Sequence, residues 1–231
     1  SLPSAFTLDN IKNVFHDMKY PATFLNTLIA TVIGTLGIIV IASMGGYKMA
    51  RVKTRYSRFC FLFCIAPMMI PFQSFMLTLV NVATTLHING KIWGLAIIYW
   101  GLGAPMSIFL YQGFAKGIPL ELEESALIDG CNQFQLFTRI IFPMLKSCTA
   151  TVTIINVMWI WNDFLLPLLM LGGRKSSKTL QLAAYSFMGQ YKMEWQNIMS
   201  AAILIIIPAL ILYLIFQKSI IKGVVAGAVK G

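Results

Sequence analysis

The residues best able to do chemistry in this chain fall in one polar stretch and one apolar helix. The stretch, EESALIDGCNQFQLFTRIIFPM from Glu123 to Met144, is set between long apolar runs. Its chemistry is recognition: Glu121, Glu123, Glu124 and Asp129 supply negative charge, and no nucleophile–base pair accompanies them. Pro119 opens a short helix, because its missing N–H falls where helix donors lack partners anyway. The glutamates then occupy the first turn, where negative charge suits the positive end of the dipole. Gly130 takes the left-handed conformation that ends such a helix. A second helix follows at once, with Asn132 and Gln135 spaced as a capping box. Phe134, Phe137 and Ile141 form its apolar face, and Pro143 closes it. Two short helices at a right-angled turn are shaped to be gripped by another protein.

The second set is Asn156, Trp159, Trp161, Asn162 and Asp163, inside an apolar segment. A mid-membrane acid costs about 2.5–3.5 kcal/mol on insertion scales, so Asp163 is expected to face protein or water. Asn156, Trp159 and Asp163 share one helical stripe. Two readings fit it. Aromatic faces beside amide and carboxylate groups suit a polyhydroxylated solute; the same stripe also serves as a polar helix–helix contact with a partner subunit. Gln73 and Ser74 are weaker candidates for the same path. A proton relay through Asp163 lacks a partner, since neither His16 nor His87 lies in a span.

The elements that position these residues are membrane helices. The chain is 58% hydrophobic and 11% charged, with mean hydropathy +0.75, against about 45–50% apolar and about 25% charged in soluble domains. A net charge of +10 without a polar folded surface excludes nucleic acid as partner and points to basic loops at a lipid bilayer. The expected fold is all-α and polytopic, one transmembrane domain over residues 1–231. Its five spans are about 24–47, 59–83, 92–114, 149–171 and 199–216, each near the about 20 residues a crossing needs. Thr27, Thr31, Gly34, Thr35 and Gly37 let the first span approach a neighbour closely. The dense cluster Lys48, Arg51, Lys53, Arg55 and Arg58 marks the cytoplasmic side. Alternation then puts loop 115–147 and tail 217–231 inside and segment 172–198 outside. Arg174, Lys175, Lys178 and Lys192 in that outer segment make the overall bias modest. Prolines at 67, 71, 105, 167 and 208 kink the later spans, whether as tolerated bends or to shape a cavity. Residues 1–23 have no apolar run and are not a signal peptide. Cys60, Cys64, Cys131 and Cys148 read as small apolar residues; no metal cluster and no phosphate-binding loop is present.

The order Glu123-Glu124-Ser125-Ala126, then Asp129-Gly130, then Ile140 and Pro143, resembles the EAA loop of permeases in binding-protein-dependent ABC importers. The departure is Ser125, where alanine is common. WNDFLLPL (Trp161–Leu168) resembles the corresponding segment of sugar-importer permeases. The ending FQKSIIKGVVAGAVKG resembles the tail of the shorter permease of maltose-type importers, and NTLIATVIGTLGIIVIASMGGYKMAR their first matching span. The resemblance implies a type I importer fold, with those eight loop residues in a coupling helix that docks on a cytoplasmic ATPase. It places Lys222, Gly223, Ala226 and Gly227 at the ATPase interface. It implies a second, different permease, two ATP-binding subunits, an extracellular solute-binding protein and a sugar substrate, in the cell membrane of a bacterium. ATP and Mg then belong to the partner ATPase, and this chain is neither an enzyme nor a cofactor binder. Such permeases usually have six spans and a cytoplasmic N-terminus, so a further helix before Ser1 is expected.

The outer segment holds Leu180, Leu182, Tyr185 and Phe187, which are expected either on the membrane surface, with Trp195 as an anchor, or against the binding protein. Rival readings are an ion-coupled secondary carrier using Asp163, a membrane scaffold, and an importer permease for a non-sugar solute such as a glycerol phosphate.

Overall fold

The computed structural model describes residues 8–173, 177–188 and 195–228, with side chains in the last stretch to Ile211 and at Leu214. Every element is helical. A short amphipathic helix, α1 (Asp9–Asp17), leads into α2 (Tyr20–Arg51). The next span is divided into α3 (Arg55–Ile65) and α4 (Met76–Thr85), and α5 (Ile92–Lys116) follows. Helices α6 (Glu121–Ile128) and α7 (Gln133–Met144) form an elbow. Then come α8 (Lys146–Asn162), α9 (Leu165–Leu171), α10 (Leu180–Tyr185) and α11 (Trp195–Ala228).

Helices α2 and α5 are each long and apolar enough to cross a bilayer unaided, and they form the central pair. Lipid is as apolar as leucine, so nothing drives large aliphatics inward, and close packing favours small side chains between helices. Accordingly Thr27, Thr31, Gly34, Thr35, Ala42 and Gly46 are buried, while Leu36 and Val40 face outward. The backbones come close at Gly46, where an added Cβ would lie 2.7 Å from Tyr111 Cβ and 3.0 Å from the Gln112 amide nitrogen. Gly37 plays a different part from the expected helix contact. The Trp100 indole fills its space and donates from Nε1 to the Ile33 carbonyl at 2.9 Å.

Two of the expected continuous spans are broken. Segment 59–83 is interrupted by two 3-10 turns, Ala66–Met69 and Phe72–Ser74. Pro67 and Pro71 remove donors, and Pro71 holds Ile70 extended at φ −97°, ψ 121°. Segment 149–171 stops at Asn162 and restarts at Leu165, because Asp163 is extended (ψ 131°) and its Oδ1 accepts the Leu165 N–H at 3.1 Å. Asp163 therefore is not a mid-helix acid but the residue between two helices. Pro167 falls in the first turn of α9, where its missing donor disrupts nothing.

At the end of the chain, α11 runs unbroken through Pro208 to Ala228, so the tail expected from residue 217 continues the helix. Lys222, Gly223, Ala226 and Gly227 lie on that helix, and their side chains are outside the described residues. The segment after α9 also departs from expectation. Leu180, Leu182 and Phe187 are buried, and only Tyr185 of that set is exposed. Thr179 caps α10 by accepting the Leu182 N–H. The Leu180 N–H donates to Thr27 Oγ1 at 2.9 Å, and Asn26 Nδ2 to the Lys178 carbonyl at 3.0 Å. Val14, Met18, Trp161, Leu180, Ala183, Ala201 and Ile205 form a second, smaller core around α10. All four cysteines are free, Cys148 buried and the others half-buried.

The α2–α5 contact predicts an asymmetry between glycines. Gly46→Ala should destabilise the purified protein by about 1–3 kcal/mol, since the overpacked methyl has no room. Gly101→Ala, where an added Cβ meets nothing within 4 Å, should leave its thermal midpoint unchanged.

Candidate functional site

The elbow is built from local signals and then held from behind. Helix α6 ends on Gly130 at φ +86°. The Cys131 N–H donates to the Ala126 carbonyl and the Gly130 N–H to Leu127, which is the Schellman pattern. Asn132 Oδ1 then accepts the Gln135 N–H at 2.9 Å, while Gln135 Oε1 accepts the Asn132 N–H at 3.0 Å. The second helix widens into a π turn over Leu136–Ile141 and bends 75° into α8 beyond Pro143. Its buried residues are Leu136 and Ile141; Phe137 packs on Tyr47 and Phe142, whereas Phe134 points outward.

Glu123 is turned inward, unlike its neighbour Glu124. Only 8% exposed, it takes Arg51 Nε on Oε1 at 2.5 Å and the Tyr47 hydroxyl on Oε2 at 2.8 Å. Arg51 also donates from Nη2 to the Ile118 carbonyl at 2.9 Å. Glu123 thus clamps the elbow to the end of α2 and offers no charge to a docking partner. Ala126 is buried behind it, and Ile140 is half-buried against the main core. Glu124, Ser125, Asp129, Gly130 and Pro143 are exposed, with Ser125 Oγ donating to the Glu121 carbonyl. The outward face is more apolar than the acidic sequence suggests: Ile128 is 86% and Phe134 68% exposed, beside Leu127.

The polar stripe of the fourth span separates into three environments. Asn156 is buried, donating to Ser107 Oγ at 3.1 Å and the Val152 carbonyl at 2.8 Å, so it is a contact between α8 and α5 rather than a lining residue. Trp159 is partly exposed and meets Tyr99 edge-on, ring centroids 5.3 Å apart. Tyr99 in turn donates to Asp163 Oδ2 at 2.7 Å. Both Asp163 oxygens are therefore occupied within the protein. Asn162, exposed and bonded to the Met158 carbonyl, lines a cavity of about 420 Å³ with Phe164, Gln181 and Tyr185. The Phe164 and Tyr185 rings lie 4.9 Å apart at 47°. Gln73 and Ser74 are exposed in the break of the second span, away from this cavity's lining.

Sequence reasoning missed Arg51 and Tyr47 as partners of Glu123. They are spaced i, i+4 near the end of the first span, but the acid lies 72 residues away. Tyr99, Phe164 and Gln181 were likewise unmarked, with no local pattern to single them out. Among the described residues no cluster of His, Cys, Asp and Glu is arranged to hold a metal.

Helices long and apolar enough to cross a bilayer, with a polar elbow held at the basic end of their bundle, suit a membrane transport subunit. The chain belongs to the family of binding-protein-dependent transport system inner membrane components, whose model matches residues 37–225. It is 39% identical to the Probable starch degradation products transport system permease protein AmyC of Thermoanaerobacterium thermosulfurigenes, over 100% of this chain and 83% of the relative. It is 38% identical to the multiple sugar-binding transport system permease protein MsmG of Streptococcus mutans, with the same coverage of each. In fold it matches a chain from the crystal structure of a bacterial ABC transporter involved in the import of the acidic polysaccharide alginate. That match has TM-score 0.79 at 22% identity and covers 94% of this chain and 81% of the other. The protein is accordingly a multi-pass subunit of the plasma membrane.

The geometry at Asp163 separates a cap from a charge carrier. Asp163→Asn, which retains an acceptor for the Leu165 N–H, should keep uptake within a few-fold of wild type. Asp163→Ala should lower stability by about 1 kcal/mol, the usual loss for a removed cap. Thermal melts and uptake assays on the two variants check both outcomes.

Proposed function

We propose that this chain is the permease that moves an oligosaccharide or another sugar into the cytoplasm by alternating access. ATP hydrolysis on separate subunits drives it through the elbow. The observation that carries this reading is the combination at the elbow: an exposed apolar crown, Ile128 and Phe134, on a turn clamped from behind by Arg51 and Tyr47. A crown alone would be an interaction patch; a crown fixed to a membrane rod transmits force. The charge of the basic end, from Lys48, Lys53, Arg55 and Arg58, supports a cytoplasmic position for it. Two ATP-binding subunits, a second permease and an extracellular solute-binding protein complete the assembly, with ATP and Mg held by the ATPases. The ATPases close on ATP, draw the paired elbows together and tip the spans from inward- to outward-open.

For the substrate, two supports converge. The relatives' names specify starch degradation products, multiple sugars, and melibiose, raffinose and stachyose. The cavity beside the α8–α9 break offers two amides, Asn162 and Gln181, with two aromatic faces, Phe164 and Tyr185. Amides match hydroxyls, and ring faces match the C–H patches of a sugar.

Three variants test these assignments. Ile128→Glu in the assembled importer should reduce ATPase co-purification. Gly130→Pro, which removes a hydrogen-bonded N–H and forbids φ +86°, should leave the ATPases bound but ATP hydrolysis uncoupled from uptake. Wild-type uptake in both variants would remove the elbow from the drive train. Tyr185→Ala should raise the oligosaccharide concentration for half-maximal uptake about tenfold, one aromatic contact's worth, with ATPase association intact. An unchanged value would mean the solute passes elsewhere.

A further inference from the structure

A cavity of about 1190 Å³ lies at the basic end and not beside the polar stripe. It lies between the end of α2, the turn into α3, the foot of α5 and the first residues of the elbow. Arg51, Lys53, Arg55, Arg58 and Lys116 line it, against a single carboxylate, Glu121. Arg51 is committed to Glu123 and Ile118. The other four cations have no ion-pair partner among the described residues. Four like charges around one concavity repel one another, and the repulsion is relieved when an anion enters.

Elsewhere the wall mixes the polar Thr54, Ser57 and Gln112 with the apolar Met49, Phe61 and Leu62. Beyond it the outward face of α3 carries Tyr56, Phe59 and Phe63, respectively 77%, 65% and 69% exposed, with the two phenylalanine rings stacked at 6.2 Å. Arg55 on the wall and Phe59 on the strip are four residues apart and share a helix face, so the basic cup borders the aromatic strip at Arg55. A soluble anion needs only the cup. An amphiphile with an anionic head and hydrocarbon tails matches both parts.

We propose that this cavity binds the phosphate headgroup of an anionic bilayer phospholipid, whose acyl chains lie along Tyr56, Phe59 and Phe63. Arg55 and Arg58 offer guanidinium forks that match phosphate oxygens, and Lys53 and Lys116 add point charges. The same concavity is walled by Ile118, Pro119 and Leu120, which connect α5 to the elbow. A bound headgroup therefore braces the strap that carries the elbow, and lipid charge becomes a control on drive independent of which solute is carried.

The test uses the purified importer with all its subunits, titrated in detergent with dioleoylphosphatidylglycerol or dioleoylphosphatidylcholine and read by native mass spectrometry. The wild type should retain the anionic lipid at about tenfold lower concentration than the zwitterionic one. The triple variant Arg55→Gln, Arg58→Gln, Lys116→Gln should lose that preference. Lys146→Gln, an exposed cation outside the cavity, should keep it, and co-purifying ATPase reports that each variant is folded. Equal retention of the two lipids by wild type, or an undiminished preference in the triple variant, overturns the proposal. So does an equal loss in Lys146→Gln, which would reduce the effect to general surface charge. Millimolar inorganic phosphate should leave the adduct in place; complete displacement would assign the cup to a soluble phosphorylated solute and overturn the lipid assignment.

Discussion

The structure depends on a short-range electrostatic clamp at the place where a polar elbow meets apolar rods. Arg51, Glu123, Tyr47 and the Ile118 carbonyl form a closed set in which each charged group has partners. Taking two ions out of water is costly, and the attraction compensates only when the remaining donors and acceptors are satisfied. Here they are. Removing either ion leaves the other buried and unpaired, which costs about 3–5 kcal/mol in comparable settings. The clamp therefore specifies one position of the elbow more than it adds net stability. A contact made on Ile128 is passed to Glu123 within the same helix, and from there to α2 through Arg51. The Ile118 bond draws in the end of α5 as well.

That transfer is useful only if α2 and α5 move together. Their pairing rests on small residues and close backbones, Gly46 against Tyr111 and Gln112 and Gly34 against Tyr99, rather than on interlocked large side chains. In lipid this is the available way to gain contact, since aliphatic burial brings little. It also explains why Leu25, Val32, Leu36, Val40 and Ile41 of α2 sit outside, while Ile38 and Ile39 are the large aliphatics that turn inward. Arg51 lies at the end of this closely packed pair, so the clamp attaches the elbow to both helices at once.

Much of the elbow was legible in the sequence because its determinants are local. Gly130 at the required left-handed position and Asn132 with Gln135 three residues on are contained in a few consecutive residues, and chain stereochemistry fixes what they do. The direction of Glu123 was not legible, since first-turn charge preference is satisfied equally by an acid facing out and one facing in. Only the fold brings Arg51 to it. Phe134 was read on the buried face and lies outside, because the π turn at Leu136–Ile141 shifts the angular register that a regular helix would have. The spans were legible as apolar runs, but hydropathy carries no information about continuity. Pro67 and Pro71 signalled a disturbance without showing that the helix would break. Asp163 was placed in mid-helix because the run on either side is long and largely apolar, and its bond to the Leu165 N–H depends on a conformation that composition does not encode.

The two breaks have a common logic. Non-helical backbone within a bilayer is tolerated where protein or water satisfies it, and α9 does so with Asp163 at its start. Beyond the breaks, α9 packs against α4 and α5, and the Gly90 N–H bonds the Met170 carbonyl. The outer pieces of both interrupted spans therefore form one contiguous unit, while the inner piece of the fourth span continues through the bend into the elbow. A pull on the elbow reaches α8 directly and meets the outer unit across Asp163 and Phe164, and through α5 by way of the Asn156–Ser107 and Tyr99–Asp163 bonds. The cavity lined by Asn162, Phe164, Gln181 and Tyr185 sits at that joint. A solute bound there touches both sides of the articulation, so rocking the inner rods changes the site's shape without requiring the outer unit to unfold or repack. The irregularities that defeated a simple hydropathy reading are thus the places where the proposed motion and the proposed binding coincide.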